Sequence, residues 1–319
     1  MSASTTSCII NMLRKHLLLP ICIPFLMVAC AHADTESKSP AQTPYLGQQL
    51  EARSYLIPNW EWEHEVRIYL PASYSVSEQS YPTIWVTDNL LEIAVSAAQL
   101  FPRDGGVKQE FIVVAIGAPR TASFAEYLSR RNFDFSPEHS QIADILKGVL
   151  KPEDVGGADA FMQFLVEDLR QELSAEFRMD PKGHAFVGHS GGAMFGLYTL
   201  FSKPDSFSRY LLSSPATREP WLAMESDWHK ANDDLKARVY LSAGGGEANI
   251  PLTAGLQVLS ATAAIGERLQ TRGYDSLVSK TEVFDGEDHS SVIPRAYYSG
   301  IAFLYNGYLE QKVADEATE

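Results

Sequence analysis

The chain has 319 residues, 45% of them hydrophobic and 21% charged, with a formal net charge of −14 at pH 7. That apolar content supplies a sizeable core, for one large α/β domain or two small ones. The negative charge excludes nucleic acid as a partner, because a phosphate backbone requires a basic surface.

The N-terminus reads as a targeting segment. Arg14, Lys15 and His16 form a basic stretch ahead of an apolar run, Leu17 to Val28, which is too short to span a bilayer and suited to a secretory signal over residues 1–33. Two cleavage sites compete. Met27-Val28-Ala29-Cys30 resembles a lipobox, with Cys30 as the lipidated residue of an outer-membrane lipoprotein, and Ala31-His32-Ala33 before Asp34 would release a soluble periplasmic protein. Cys8, Cys22 and Cys30 all lie in this segment, so the folded part has no thiol, disulfide or cysteine metal site. Residues 34–50, rich in Ser, Thr, Pro and Gln, read as a disordered tether.

Structure is predicted from Glu51. Ala52–Ile57 and His64–Leu70 form two antiparallel edge strands joined through Pro58-Asn59-Trp60, the second alternating Val66, Ile68 and Leu70 against Glu65, Arg67 and Tyr69. Thr83–Thr87 and Phe111–Ile116 are near-continuous apolar runs, as strands buried on both faces of a parallel sheet must be, with a helix over Leu90–Leu100 between them. Alternation continues through helix Ala158–Phe177, strand Ala185–Gly188, a helix after Ser190 and strand Tyr210–Ser213. It goes on through helix Trp221–Lys230, strand Val239–Ala243, helix Leu252–Arg272, strand Thr281–Phe284 and helix Ser291–Leu309. This pattern predicts one domain, residues 51–311, with a mostly parallel central sheet, helices on both faces and antiparallel N-terminal edge strands. Residues 312–319 read as a disordered tail. Pro119–Gly157, polar and Arg-bearing, reads as a long loop of the kind that serves as a lid or is disordered.

Gly188-His189-Ser190-Gly191-Gly192 matches G-x-S-x-G between a short apolar strand and an apolar helix, the setting of a nucleophile elbow. The pattern alone is common, so its weight rests on partners in the order nucleophile, acid, histidine. Only His229 and His289 follow Ser190. His229 lies in a polar helical stretch, whereas His289 follows the last strand, where a general base reaches the carboxyl edge of the sheet. Glu247, after strand Val239–Ala243, is the nominated acid, with Asp285 and Asp288 as alternatives. The oxyanion hole requires two backbone N–H groups, one from Gly191 and one from the loop after Thr83–Thr87, which nominates Asn89 or Leu90. Arg120, Arg130 and Arg131 suit an anionic or catecholate substrate, and Phe124, Tyr127 and Trp221 suit acyl-pocket walls.

These stretches resemble the esterase D-like branch of α/β hydrolases. The matching segments are Tyr81 to Asn89, F-I-V-V-A-I-G at 111–117, Arg120 to Asp134-Phe135-Ser136-Pro137, G-A-D-A-F at 157–161, G-H-S-G-G-A at 188–193, Phe207 to Pro215, the Glu247 loop and D-H-S-S-V at 288–292. The chain is most similar to the exported siderophore-esterase-like group of that branch. The resemblance implies the α/β-hydrolase fold and carboxylic ester hydrolysis by Ser190, with His289 as base and Glu247 orienting it, on a siderophore lactone or small acyl ester, without metal or organic cofactor. Two positions depart from the pattern: Thr87-Asp88-Asn89 replaces Leu-Asp-Gly, and Ala216 to Pro220 replaces an aromatic pair. An acyltransferase of the same fold and a non-catalytic exported binding protein are the rival readings.

Overall fold

In the central strands nearly every side chain is apolar, so both faces of the sheet must be covered. The computed structural model describes residues 47–100, 109–137, 155–308 and 312. The expected signal segment, most of the tether, residues 138–154 of the Pro119–Gly157 stretch and the last seven residues lie outside them. The first strands are β1 (Gln48–Gln49), β2 (Arg53–Leu56), β3 (Glu63–Leu70), β4 (Tyr81–Val86) and β5 (Ile112–Gly117). They are followed by β6 (Met179–His189), β7 (Arg209–Ser213), β8 (Arg238–Gly244) and β9 (Val278–Phe284). Together they form a nine-stranded sheet in the order β1-β3-β5-β4-β6-β7-β8-β9, with β2 paired to β3. β3 runs antiparallel to β5, and β5, β4 and β6 through β9 are parallel. This is the α/β-hydrolase architecture.

The helices are α1 (Leu91–Leu100), α2 (Phe124–Phe135), α3 (Ala158–Gln163), α4 (Arg170–Glu176), α5 (Gly191–Ser202), α6 (Glu219–Ala231), α7 (Pro251–Gly255), α8 (Val258–Thr271) and α9 (Val292–Tyr305). Alternation along β4 divides the core between the two faces. Tyr81 and Trp85 join Phe161, Phe186 and Phe195 on one, and Ile84 and Val86 join Leu91, Tyr297 and Ile301 on the other. Helix α5 is apolar almost all round and correspondingly buried.

Three expectations are corrected. Gln48 and Gln49, expected within the disordered tether, form a strand and pair with Leu70 and Tyr69. The stretch predicted as a loop contains α2, opened by a capping box in which Ser123 Oγ accepts from Glu126 N–H while the Glu126 carboxylate accepts from Ser123 N–H. The helix predicted over Leu252–Arg272 breaks at Gln257, whose φ of 59° is left-handed. The run predicted as helix from Ala158 is continuous through α4 but passes a wider π turn over Phe164–Leu169.

Candidate active site

Strand β6 delivers Ser190 to a sharp turn, and α5 begins at the next residue. Ser190 adopts φ 57° and ψ −119°, a conformation costing about 1–3 kcal/mol for a residue with a side chain. Its surroundings hold it there: Ser190 N–H donates to Ser213 O at 2.8 Å, and Gly188 lies so close to Gly192 O that a Cβ would collide. Ser190 Oγ is thereby set beside the N-terminus of α5, whose first N–H groups favour negative charge.

Glu247 and His289 meet beside this turn. Glu247 lies in the tight turn Gly245–Asn249 after β8 and is fully buried. Its carboxylate accepts from Gly244 N–H at 3.3 Å and meets His289 Nδ1 at 2.6 Å. Gly246 N–H donates to Glu287 O at 2.9 Å, which clasps the two loops together. A carboxylate can only accept, so Nδ1 carries the imidazole proton and Nε2 keeps the lone pair a general base needs. The alternative acids are elsewhere: Asp288 accepts from the backbone N–H groups of Ser290 and Ser291, both at 2.8 Å, and Asp285 is exposed.

His189 packs against this pair. Its ring centroid lies 4.6 Å from that of His289, and Nδ1 is 3.2 Å from Ser213 Oγ. Burial, then the neighbouring His289 and Arg131, holds its pKa well below the ordinary imidazole value, so it stays neutral.

The opposite side of the turn is the loop after β4. Asp88 and Asn89 have φ of 61° and 54°. Asn89 Nδ2 donates to Ala118 O at 2.7 Å, and Arg67, buried under the loop, donates to Asn89 O and Glu92. The two backbone donors nominated for the oxyanion hole are turned to the protein's own carbonyls: Asn89 N–H to Ile116 O at 3.4 Å and Leu90 N–H to Thr87 O at 3.3 Å. A guanidinium from α2 comes against the serine turn at Gly191 and His189. Arg131 Nε and Nη2 donate to the two oxygens of Asp88 at 2.6 and 3.0 Å, and Nη2 also to His189 O at 3.2 Å. Nη1 lies against Gly191, where an added Cβ would run into it. Burial opposes the charge on Arg131, but Asp88 more than offsets it and keeps the guanidinium protonated. Tyr127, one turn earlier on the same face of α2, donates to Asp88 Oδ1 at 3.1 Å, and burial with that carboxylate pushes its pKa up to about 12.

The structure thus brings Ser190, Gly191, His289 and Glu247 together, and adds Asp88, Arg131 and His189, whose roles sequence reasoning missed. The available signal was α2 itself: its capping box, with Tyr127 and Arg131 four residues apart. Two of the expected substrate contacts are corrected. Arg120 is exposed and pairs with Glu65 at 2.9 Å, and Trp221 is completely buried, its indole N–H donating to Ala216 O at 2.9 Å. Tyr127 is joined to the site through Asp88. No group of three or more His, Cys, Asp or Glu side chains among the described residues is placed to hold a metal ion.

A strained serine, an imidazole fixed by a buried carboxylate and a cation against the first residue of the following helix are the parts a serine hydrolase uses. The chain belongs to the family described as putative esterase, whose model matches residues 57–291, and it is a carboxylic ester hydrolase. It is 27% identical over 224 residues to the ferri-bacillibactin esterase BesA of Bacillus subtilis, covering 67% of this chain and 75% of that protein. It is 26% identical over 274 residues to the siderophore triacetylfusarinine C esterase of Aspergillus fumigatus, covering 78% and 86%. Among solved structures, the siderophore hydrolase EstA from Aspergillus nidulans superposes with a TM-score of 0.67 at 23% identity, over 80% of this chain and 94% of that one, a likeness of fold.

Proposed function

We propose that this esterase cleaves the ester bonds of a siderophore lactone through an acyl-serine intermediate. The observation that carries the mechanism is the His289–Glu247 contact at 2.6 Å beside the strained Ser190 turn. The substrate class is supported by the two siderophore esterases to which the chain is similar. Ser190 Oγ attacks the ester carbonyl while His289 Nε2 takes its proton, and Glu247 stabilises the imidazolium. The oxyanion is accepted by Gly191 N–H and by Arg131 Nη1, which is fixed in advance by Asp88 and costs no reorganisation during the reaction. As the tetrahedral intermediate collapses, the alcohol leaves with the proton from His289. Water, activated by the same imidazole, then attacks the acyl-serine and releases the acid.

The test is a panel of a ferric triscatecholate trilactone, p-nitrophenyl acetate and a feruloyl ester, with products followed by chromatography. The proposal expects the trilactone to have the highest kcat/KM and to be opened stepwise to linear acids, with none formed by Ser190→Ala. Preference for the feruloyl ester, or transfer of the acyl group to an added alcohol in place of hydrolysis, would overturn it.

We also propose that the protein is exported and anchored through Cys30, a reading supported by Arg14, Lys15, the apolar run and the Met27–Cys30 sequence. Labelled palmitate incorporated by the full chain and lost in Cys30→Ser would support it. A soluble product beginning at Asp34 would replace it with simple export.

A further inference from the structure

Strands β6 to β9 are parallel, so their starts share one edge of the sheet, opposite the edge that carries Ser190, Glu247 and His289. A cleft of about 920 Å3 opens at these starts. Arg209 and Arg238 are direct neighbours across β7 and β8, and both line it. Like charges opposite one another on adjacent strands are destabilising unless something compensates them. Among the described residues neither arginine has a carboxylate partner. Arg209 donates to Leu304 O, Lys182 O and Ser208 Oγ, at 3.1, 2.9 and 2.7 Å, and Arg238 donates to Asn306 O at 3.1 Å. Arg238 Nε is buried with no acceptor. Lys182, Lys236 and Lys312 line the same cleft, and the one acid among its described lining residues, Asp180, is already engaged by Lys312 at 3.0 Å and Tyr308 at 2.8 Å.

The guanidinium groups also lie over aromatic rings, Arg209 over Tyr305 and Tyr308 and Arg238 over Phe303, at 5.2, 4.7 and 5.2 Å from the ring centroids. Such stacking offsets part of the cost of their burial. The backbone carbonyls and the stacking account for Arg209, but they leave Arg238 with a buried Nε that has no acceptor. Burial and the neighbouring Arg209 both disfavour the charge on Arg238, which is the condition a bound anion relieves.

We propose that this cleft is a second binding site, for a phosphate-bearing anion held between the Arg209 and Arg238 forks with Lys236 at the rim. The Nη2 group of each guanidinium makes no hydrogen bond among the described residues, and the placement of the two on adjacent strands would hold phosphate oxygens against the sheet edge. The same chemistry is offered by a soluble phosphate compound and by a phospholipid headgroup.

The experiment measures the Tm of the purified full chain with 5 mM pyrophosphate against sodium chloride of equal ionic strength, and co-flotation with phosphatidylcholine vesicles with and without phosphatidylglycerol. The account expects pyrophosphate to raise Tm by roughly 3 °C beyond the salt control, or phosphatidylglycerol to recruit the protein, according to the source of the phosphate. It expects either effect to be lost in Arg238→Gln/Lys236→Gln while ester hydrolysis is unchanged. If Arg238→Gln fails to fold, the exposed pair Lys182→Gln/Lys236→Gln should weaken the same effect at least threefold in the anion concentration required. Neither effect in the wild type, or an effect that persists undiminished in the variants, would overturn the proposal.

Discussion

Ser190, Glu247 and His289 each sit on a loop leaving the carboxyl end of a strand, whereas the cation facing them comes from helix α2 and is gripped by Asp88, 43 residues away in sequence. The first side is assembled by topology: once β6, β8 and β9 lie parallel, their C-terminal loops converge, and one hydrogen bond sets the imidazole. The second side depends on a long-range ion pair, and the left-handed backbone at Asp88 and Asn89 that presents it is secured by Arg67 beneath. In the proposed mechanism the triad side supplies the nucleophile and moves the proton, and the α2 side supplies fixed charge where charge develops.

This comparison can be broken or sharpened by substitution. On the triad side, Glu247→Gln is expected to lower kcat by up to roughly ten-thousandfold, because the wrong imidazole tautomer is then favoured. Asp288→Asn, which touches only the start of α9, should stay within about threefold. Equal losses in steady-state kinetics would return the acid's role to the His289 loop. On the α2 side, Arg131→Gln and Asp88→Asn are each expected to reduce kcat by about 100- to 1,000-fold with little change in KM. Because the two residues act as one unit, the double variant should be hardly worse than either single one, and additive losses would show that they act separately.

Where the two sides touch, His189 gives a smaller, pH-dependent effect. His189 and His184 are both buried neutral, the latter with its pKa lowered to about 3 by burial and by Arg170. Between these depressed values and the ordinary imidazole pKa near 6.5 the unfolded chain binds more protons, so stability is complete above that pH. It is lost as pH falls through the window, by at most about 1.4 kcal/mol per pH unit for each histidine. Urea denaturation from pH 7 to 5 should show this slope, and His189→Phe should reduce it by about half. The smallest effect is expected at Arg120→Ala, where an exposed ion pair with Glu65 is lost. Stability should change by less than about 1 kcal/mol and kcat by less than twofold.

The sequence was most informative where function follows from local pattern and strand order. Gly188 to Gly192 announces a strained turn, and only His289 occupies a loop after the last strand, so the base could be read from the chain. The acid was narrowed to Glu247, Asp285 and Asp288, and the choice needed the geometry of two clasped loops. The oxyanion side was misread for a physical reason. Asn89 and Leu90 were nominated by their place after β4, but whether an N–H is free depends on which carbonyl lies nearby, and those of Ile116 and Thr87 do. The polar stretch after Pro119 concealed α2, although Ser123 and Glu126 mark its start. Arg131 could not be told from Arg120 and Arg130 by composition, because only the helix phase turns Arg131 and Tyr127 toward Asp88. Trp221 was assigned to a pocket wall, and the structure buries it completely in the core.

The central claim is tested most directly by p-nitrophenyl acetate hydrolysis with purified wild type, Ser190→Ala and His289→Ala. The account predicts turnover by the wild type, stoichiometric inactivation by a fluorophosphonate that labels Ser190, and a loss of up to roughly a millionfold in kcat for either variant. Wild-type-like turnover in Ser190→Ala, or a fluorophosphonate adduct on another residue that abolishes activity, would contradict it.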